Sequence, residues 1–181
     1  GALKSVYFGE FPRAAGPLSV ATPFYSGDFE GSQNYQPARA AKLLDEAGWT
    51  GRDADGYRTK DGKRLSATVL IGARTPPSEL TLWEQVQATT RQVGLELVLD
   101  QMSDAQVTAR QAAWDYDIRT GYWNTNTPDV LRIIFSSAFV QPAGVGGYHQ
   151  NSSGYAGPGF DALLVSALAT PGPEQRRALY Y

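Results

Sequence analysis

The stretch from Leu65 to Met102, LSATVLIGARTPPSELTLWEQVQATTRQVGLELVLDQM, decides the fold. Its first run, Leu65 to Ile71, reads as a strand. From about Ser78 to Val93, residues Leu82, Trp83, Val86, Thr90 and Val93 share one face of a helix, which Gly94 terminates. Leu95, Leu97 and Leu99 then alternate as a second strand. Immediately beyond, Ser103-Asp104-Ala105-Gln106 has the form of a capping box for a helix reaching Trp114, and Tyr116 to Tyr122 supplies a third strand. Strand-helix-strand-helix-strand predicts a right-handed parallel sheet covered by helices, with the helices around Val86 and Val107 packed on it.

Working outward, Asp61-Gly62 inside DADGYRTKDGKRL is a tight-hairpin signal just ahead of the first strand. Before it, Pro37 fits a first helical position, Ala40, Leu43, Leu44 and Ala47 recur at helical spacing, and Gly48 fits the position after the cap. Residues 1–36 are rich in Gly, Pro and aromatics and read as an irregular but ordered segment that wraps a surface. Beyond the third strand, Pro128 to Phe139 has a helical apolar face built from Val130, Leu131, Ile134, Phe135 and Ala138. Phe160, Leu163, Leu164, Ala167 and Leu168 mark a further helix, which Thr170 and Pro171 close or pass on to the next. The expected organisation is a wrapping segment over 1–36 and an α/β ligand-binding lobe over 37–181. EQRRALYY, at the other end, stops within a helical pattern, so the chain reads as part of something larger.

Bulk properties narrow the function. The 181 residues carry 16 Lys+Arg against 18 Asp+Glu, a formal charge of -2 that argues against nucleic acid or an anionic membrane as partner. Without cysteine there is no disulfide, no thiol catalysis and no thiolate metal site. No apolar run approaches the length of about 18 residues needed to span a bilayer.

Chemistry-bearing residues concentrate after the third strand. GYWNTNT, 121–127, combines aromatic faces with short neutral donors and acceptors, which suits a ligand wall. In open α/β sheets ligands bind beyond the carboxyl ends of strands, and this run lies there. The expected site is therefore Tyr122, Trp123, Asn124, Thr125 and Asn126. Strand alternation turns about one of the two aromatics toward the core, and the amides and hydroxyls also have a plain turn-capping role. His149, the sole histidine, has no second His or Cys beside it, so neither a metal nor a cofactor is expected. Asp115 and Asp117 share a strand face, as a glycosidase pair would, but a solvated strand start or salt bridge accounts for them better. DADG at 53–56 lacks the later carboxylates of a calcium loop and reads as a hairpin turn. No Gly-x-Ser-x-Gly elbow and no nucleophile–base pair is evident, which argues against an enzyme.

NYQPARAAKLLDEAGW, DADGYRTKDGKRLSATVLI, QATTRQVGLELVLDQM, WDYDIRTGYW and GYAGPGFDALLVSALATPGPEQRRALYY together resemble the second lobe of the family 5 extracellular solute-binding proteins of ABC importers, the dipeptide, oligopeptide and nickel receptors. The resemblance runs from about Gly16 to the end. It implies a periplasmic-binding-protein-like lobe with a mainly parallel sheet, and a monomeric extracytoplasmic receptor, periplasmic or a cell-surface lipoprotein. Such a receptor closes two lobes over a peptide-like, sugar-like or other small solute and delivers it to a membrane permease. The rival expectations are a glycoside- or peptide-hydrolysing domain and a protein-interaction module. Family members typically carry Gly-Trp-x-Ala-Asp-Tyr after the third strand, where in peptide receptors the Asp meets the ligand's amino terminus. Thr125 stands at that Asp. A neutral hydroxyl gives an ammonium no charge-assisted bond, so neutral or anionic solutes gain ground, with Asp129 the one nearby carboxylate that a shifted loop would bring in.

Overall fold

The computed structural model describes residues 2–14, 16–29, 31, 34–121, 126–142 and 150–180. Along the chain run α1 (Ala2–Tyr7), α2 (Pro37–Glu46), β1 (Gly51–Arg52), β2 (Arg58–Lys60), β3 (Lys63–Arg64), β4 (Ser66–Gly72), α3 (Pro77–Val93), β5 (Glu96–Met102), α4 (Asp104–Ala112), β6 (Ile118–Arg119), α5 (Val130–Phe135), a 3-10 turn (Ser137–Phe139), α6 (Pro158–Ala169) and α7 (Pro173–Leu179). They fall into two compact units. One holds 1–13, 34–107 and 115–120; the other holds 14–33, 108–114 and 121–181.

In the first unit the helix boundaries follow local chemistry. Pro77 opens α3 with its preset φ, and Gly94, at φ +88°, closes it. The Gly94 N–H donates to the Arg91 carbonyl and the Leu95 N–H to that of Thr90, so two end carbonyls are satisfied by one left-handed residue. Gly48 does the same for α2, its N–H on Asp45 and that of Trp49 on Leu44. Asp61 and Gly62 both have positive φ, 50° and 74°, as the two-residue turn between β2 and β3 requires. β1, β2 and β3 form a small antiparallel sheet.

The second sheet has the order β5-β4-β6 and is parallel throughout. β4 and β5 pair from Ser66↔Glu96 to Gly72↔Met102, and β6 joins the other edge through Val69↔Ile118 and Leu70↔Arg119. Val69, Ile71 and Leu97 form its core on one face, covered by Leu80, Trp83 and Val86 of α3. Alternation sends Leu70, 1% exposed, to the opposite face. At the end of β4, a side chain on Gly72 would meet Val107 of α4 at 3.7 Å. The parallel sheet and its helix over Val86 therefore stand as the sequence predicts.

Three expectations need correction. Residues 1–36 are not wholly irregular, because Ala2–Tyr7 is helical and lies on α3, where the Ser5 hydroxyl donates to Gln85 at 2.9 Å. The third strand is confined to Ile118–Arg119 among the described residues; one residue earlier the Asp117 carboxylate takes the Thr68 N–H at 2.8 Å, a donor the ladder would otherwise use. The helix over 128–139 is two pieces. Ser136, at φ -71° and ψ 138°, breaks it and accepts the Ala138 N–H on its hydroxyl.

Among the described residues, the regular structure of the second unit is helical, joined by turns and irregular segments. α5 contributes buried Val130 and Leu131, and α6 contributes Leu164 and Ala167. Phe160 meets Phe135 and Tyr155 edge-on, at 6.2 and 5.6 Å between centroids. Asn151, fully buried, donates to the Ser136 and Tyr155 carbonyls and accepts from Ser153, so it substitutes for regular backbone pairing in that loop. Residues 16–29 are ordered within this unit: Phe24 stacks on Tyr180 at 5.5 Å, and the Arg176 guanidinium lies 5.8 Å from the same ring.

Candidate functional site at the carboxyl end of the sheet

Strand order fixes where a ligand belongs. From β4 the chain crosses to β5 on one side, and from β5 it crosses back to β6 on the other, so connections diverge between neighbours β4 and β6. A crevice opens beyond the carboxyl ends at such a switch point. β4 ends at Gly72, β5 at Met102 and β6 at Arg119, and these three strand ends lie within the first unit.

At Gly72 the backbone leaves room for the Asp104 side chain. An added Cβ would lie 2.5 Å from Asp104 Oδ1. That close approach lets Asp104, first residue of α4, reach across and pair with Arg74, whose Nε lies 2.7 Å from Oδ2. The helix start itself is fixed by the capping box. The Ser103 hydroxyl accepts the Gln106 N–H at 3.3 Å, and the Gln106 Oε1 accepts the Ser103 N–H at 3.0 Å. Thr75 N–H donates to the Gly72 carbonyl at 3.0 Å, turning the loop toward Pro76 and Pro77 at the start of α3. Arg74 itself points outward, its side chain 87% exposed.

On β6, Arg119 is half-buried and donates Nε to the Thr120 carbonyl at 3.1 Å. Its Nη1 atom is buried and meets no hydrogen-bond acceptor among the described residues. Burial pushes the Tyr116 hydroxyl above its ordinary value, and the nearby charge of Arg119 opposes the shift. The two loop-facing strand ends of the switch point thus each carry an arginine. Neither Arg74 nor Arg119 stood out in the sequence. That both lie at the switch point depends on β6 adding next to β4 rather than next to β5, which no local pattern reveals.

Of the sequence-predicted wall, Tyr122, Trp123, Asn124 and Thr125 lie outside the described residues. Asn126 is exposed. Asp129, the carboxylate that a shifted loop would bring in, is already engaged: both its oxygens accept from Arg132, Nε at 2.9 Å and Nη2 at 3.1 Å. That hydrogen bonding holds the Arg132 guanidinium above its ordinary value. Asp117 serves the backbone of β4, and Asp53 caps its own turn through the N–H groups of Asp55 and Tyr57, in keeping with the non-catalytic readings of both. His149 lies outside the described residues. Among the described residues, no cluster of three or more His, Asp or Glu side chains is arranged to hold a metal, and no helix is long and apolar enough to cross a membrane.

Residues 1–142 match the model of the bacterial extracellular solute-binding proteins, family 5. Among curated proteins, the uncharacterized protein YejA of Escherichia coli (strain K12) is 24% identical over 166 residues, which cover 88% of this chain and 26% of YejA. The oligopeptide-binding protein AppA of Bacillus subtilis (strain 168) is 31% identical over 107 residues, covering 57% of this chain and 19% of AppA. The chain thus spans about a quarter or less of the length of these curated relatives. The structure of the Bacillus subtilis AppA in complex with a nonapeptide superposes with a TM-score of 0.79 at 24% identity, over 99% of this chain and 35% of AppA. NikA from Brucella suis, in complex with Fe(III)-EDTA, gives 0.74 at 28% identity, over 99% of this chain and 35% of NikA.

Proposed function

Because the chain belongs to the bacterial extracellular solute-binding proteins of family 5, we propose that it forms one lobe of a receptor that captures a small solute for an ABC importer. The observation that carries this reading is the parallel strand order β5-β4-β6, with its switch point between β4 and β6. The proposed lobe comprises residues 37–181 wrapped by 1–36, and a second lobe completes the pocket. AppA holds a nonapeptide and NikA an iron chelate, so the same lobe design accommodates solutes of different chemistry. The AppA relative is named for oligopeptide binding, and the function proposed is binding without turnover.

Function is then mechanical. Solute contacts to both lobes exist only in the closed arrangement, so binding shifts the population toward it. Tyr122 or Trp123 supplies a stacking face, and Asn124, Thr125 and Asn126 orient the guest by hydrogen bonds. With a hydroxyl at Thr125, and with Asp129 neutralised by Arg132, this wall offers no counter-ion for an ammonium. The solute is peptide-like or sugar-like and neutral or anionic at the end this lobe holds. The protein is proposed to be a monomer outside the cytoplasm, periplasmic or lipid-anchored, handing its solute to a membrane permease.

Calorimetry on the full-length protein tests the reading, with tripeptides, their N-acetylated forms and a linear oligosaccharide as probes. Micromolar binding with the probe recovered intact supports a receptor. Turnover of a bound probe, or no binding by any of them, overturns it.

A further inference from the structure

The small antiparallel sheet brings together two Asp-Gly pairs, Asp55-Gly56 and Asp61-Gly62, and the sequence has no Asn-Gly pair. In an Asp-Gly pair the glycine nitrogen lies within reach of the aspartate's own carboxyl carbon, and glycine has no Cβ to shield the approach. The two pairs share this chemistry, but the fold treats them differently.

The first pair is tied down at both reacting groups. Asp55 Oδ2 accepts from Arg64 Nη2 at 2.5 Å, and the Gly56 N–H donates to the Asp53 carbonyl at 3.1 Å. The second pair is held at neither. Among the described residues the Asp61 carboxylate meets no hydrogen-bond or ionic partner, and the Gly62 N–H meets no acceptor. It stands outside the ladder, which the Lys60↔Lys63 pair closes. Asp61 and Gly62 are both exposed, and a side chain added at Gly62 would meet nothing within 4 Å. Such a turn opens locally more readily than the strands it joins.

We propose that Asp61 is a modification site, at which the folded protein converts on its own to an isoaspartyl linkage through a cyclic imide. In the acid form of the side chain, the Gly62 nitrogen attacks Asp61 Cγ. The C–N bond forms as the C–OH bond breaks, and the nitrogen's proton leaves with the hydroxyl as water. Water then adds back to the imide. Addition at Cγ restores aspartate, whereas addition at the main-chain carbonyl of Asp61 leaves the chain running through Cβ and Cγ. The mass returns to its starting value, no oxidant or reductant takes part, and the main chain gains one methylene.

The consequence falls on the hairpin. A two-residue turn suffices between β2 and β3 because Asp61 and Gly62 both take left-handed φ. An extra methylene there disturbs the register Lys60↔Lys63 and Thr59↔Arg64. Arg64 is also the residue that gathers Asp53, Asp55 and Glu96, so the change at the turn reaches the ion pairs behind it. This inference is independent of the proposed receptor function.

The test ages the full-length protein at physiological temperature and pH, one portion native and one in guanidinium chloride. Both pairs are read by peptide mapping with a fragmentation method that distinguishes the two linkages. In the native portion isoaspartate should accumulate at Asp61 severalfold faster than at Asp55. In the denatured portion, where neither pair is held, the two should accumulate at comparable rates. Asp61→Glu, which keeps the charge but must close a larger ring, should remove the native signal at this turn and leave the slow rate at Asp55 unchanged. Equal rates at the two pairs in the native protein overturn the proposal. So does a native Asp61 that stays unmodified while the denatured chain reacts at both pairs, since the folded turn would then protect it.

Discussion

The two ends of the parallel sheet use arginine in opposite ways. At the amino end, Arg58 is 5% exposed and surrounded by acceptors: the carbonyls of Val93, Trp49 and Ala41, and the Asp45 carboxylate. Beside it, Arg64 reaches Asp53, Asp55 and Glu96 at once and lies 4.8 Å over the Tyr57 ring. Hydrogen bonds to Asp55 and then Glu96 hold the Arg64 guanidinium above its ordinary value. At the carboxyl end, Arg74 leans on one aspartate and faces water. Saturated donors tie α2, the hairpin and α3 together, whereas the outer donors of Arg74 are left to water.

The sharpest way to break this contrast is Arg58→Met. Val93, Trp49 and Ala41 carbonyls would lose their shared donor in a buried place, and Asp45 its partner. Stability should drop by about 3 kcal/mol, read as a lower urea midpoint with an unchanged slope. A loss below about 1 kcal/mol would show that water replaces the arginine easily, and the amino end would no longer count as a structural hub.

Gly72→Ala probes the other end by overfilling it. The new Cβ, 2.5 Å from Asp104 Oδ1, must displace that carboxylate. Because the obstacle is the movable end of a partly exposed side chain, the cost should stay below about 1 kcal/mol, as a thermal melt would read. Ser103→Ala removes one half of the capping box and should cost about 1 kcal/mol by urea unfolding, with β4 and β5 undisturbed.

Acid provides a gentler test of the amino end. Burial alone would raise the Asp53 carboxyl, but the Arg64 hydrogen bond and the Tyr57 N–H outweigh it, and Asp53 titrates below its ordinary value of 3.8. A carboxylate depressed in the folded state stabilises above its unfolded value and loses that contribution as pH falls through the folded one. Asp53→Asn should therefore melt earlier than the unmodified protein at neutral pH, and the gap should close below about pH 4. A gap independent of pH would assign the loss to turn geometry rather than to charge.

Much of this architecture is legible because its signals are local. Pro37 with Gly48, Pro77 with Gly94, Asp61-Gly62 and the Ser103–Gln106 box each act within a few residues, and each holds in the structure. Where distant groups decide, the reading falters. The third strand is shortened by an Asp117 side chain competing for the Thr68 N–H, and Ala2–Tyr7 is helical against α3 despite a length too short to persist alone. At the candidate site, the run after β6 was conspicuous by composition, but Arg74 and Arg119 owe their meaning to β6 adding beside β4. A side chain's neighbours across a sheet are set by topology, and a lone exposed arginine in a sequence looks like any other.

The smallest expected effect closes the comparison. Arg74→Gln breaks an ion pair of the same chemistry as the one Arg58 makes, yet its side chain is 87% exposed and its partner Asp104 is 39% exposed. Water solvates both charges once they separate, and freed side-chain motion offsets what the attraction supplied, so stability should change by less than about 0.5 kcal/mol. The urea midpoints of Arg74→Gln and the unmodified protein should coincide within error, at low and at moderate salt alike. If Arg74→Gln instead destabilises by as much as Arg58→Met, the carboxyl-end pair is a structural bolt and the two ends of the sheet are equivalent in what their arginines contribute to folding.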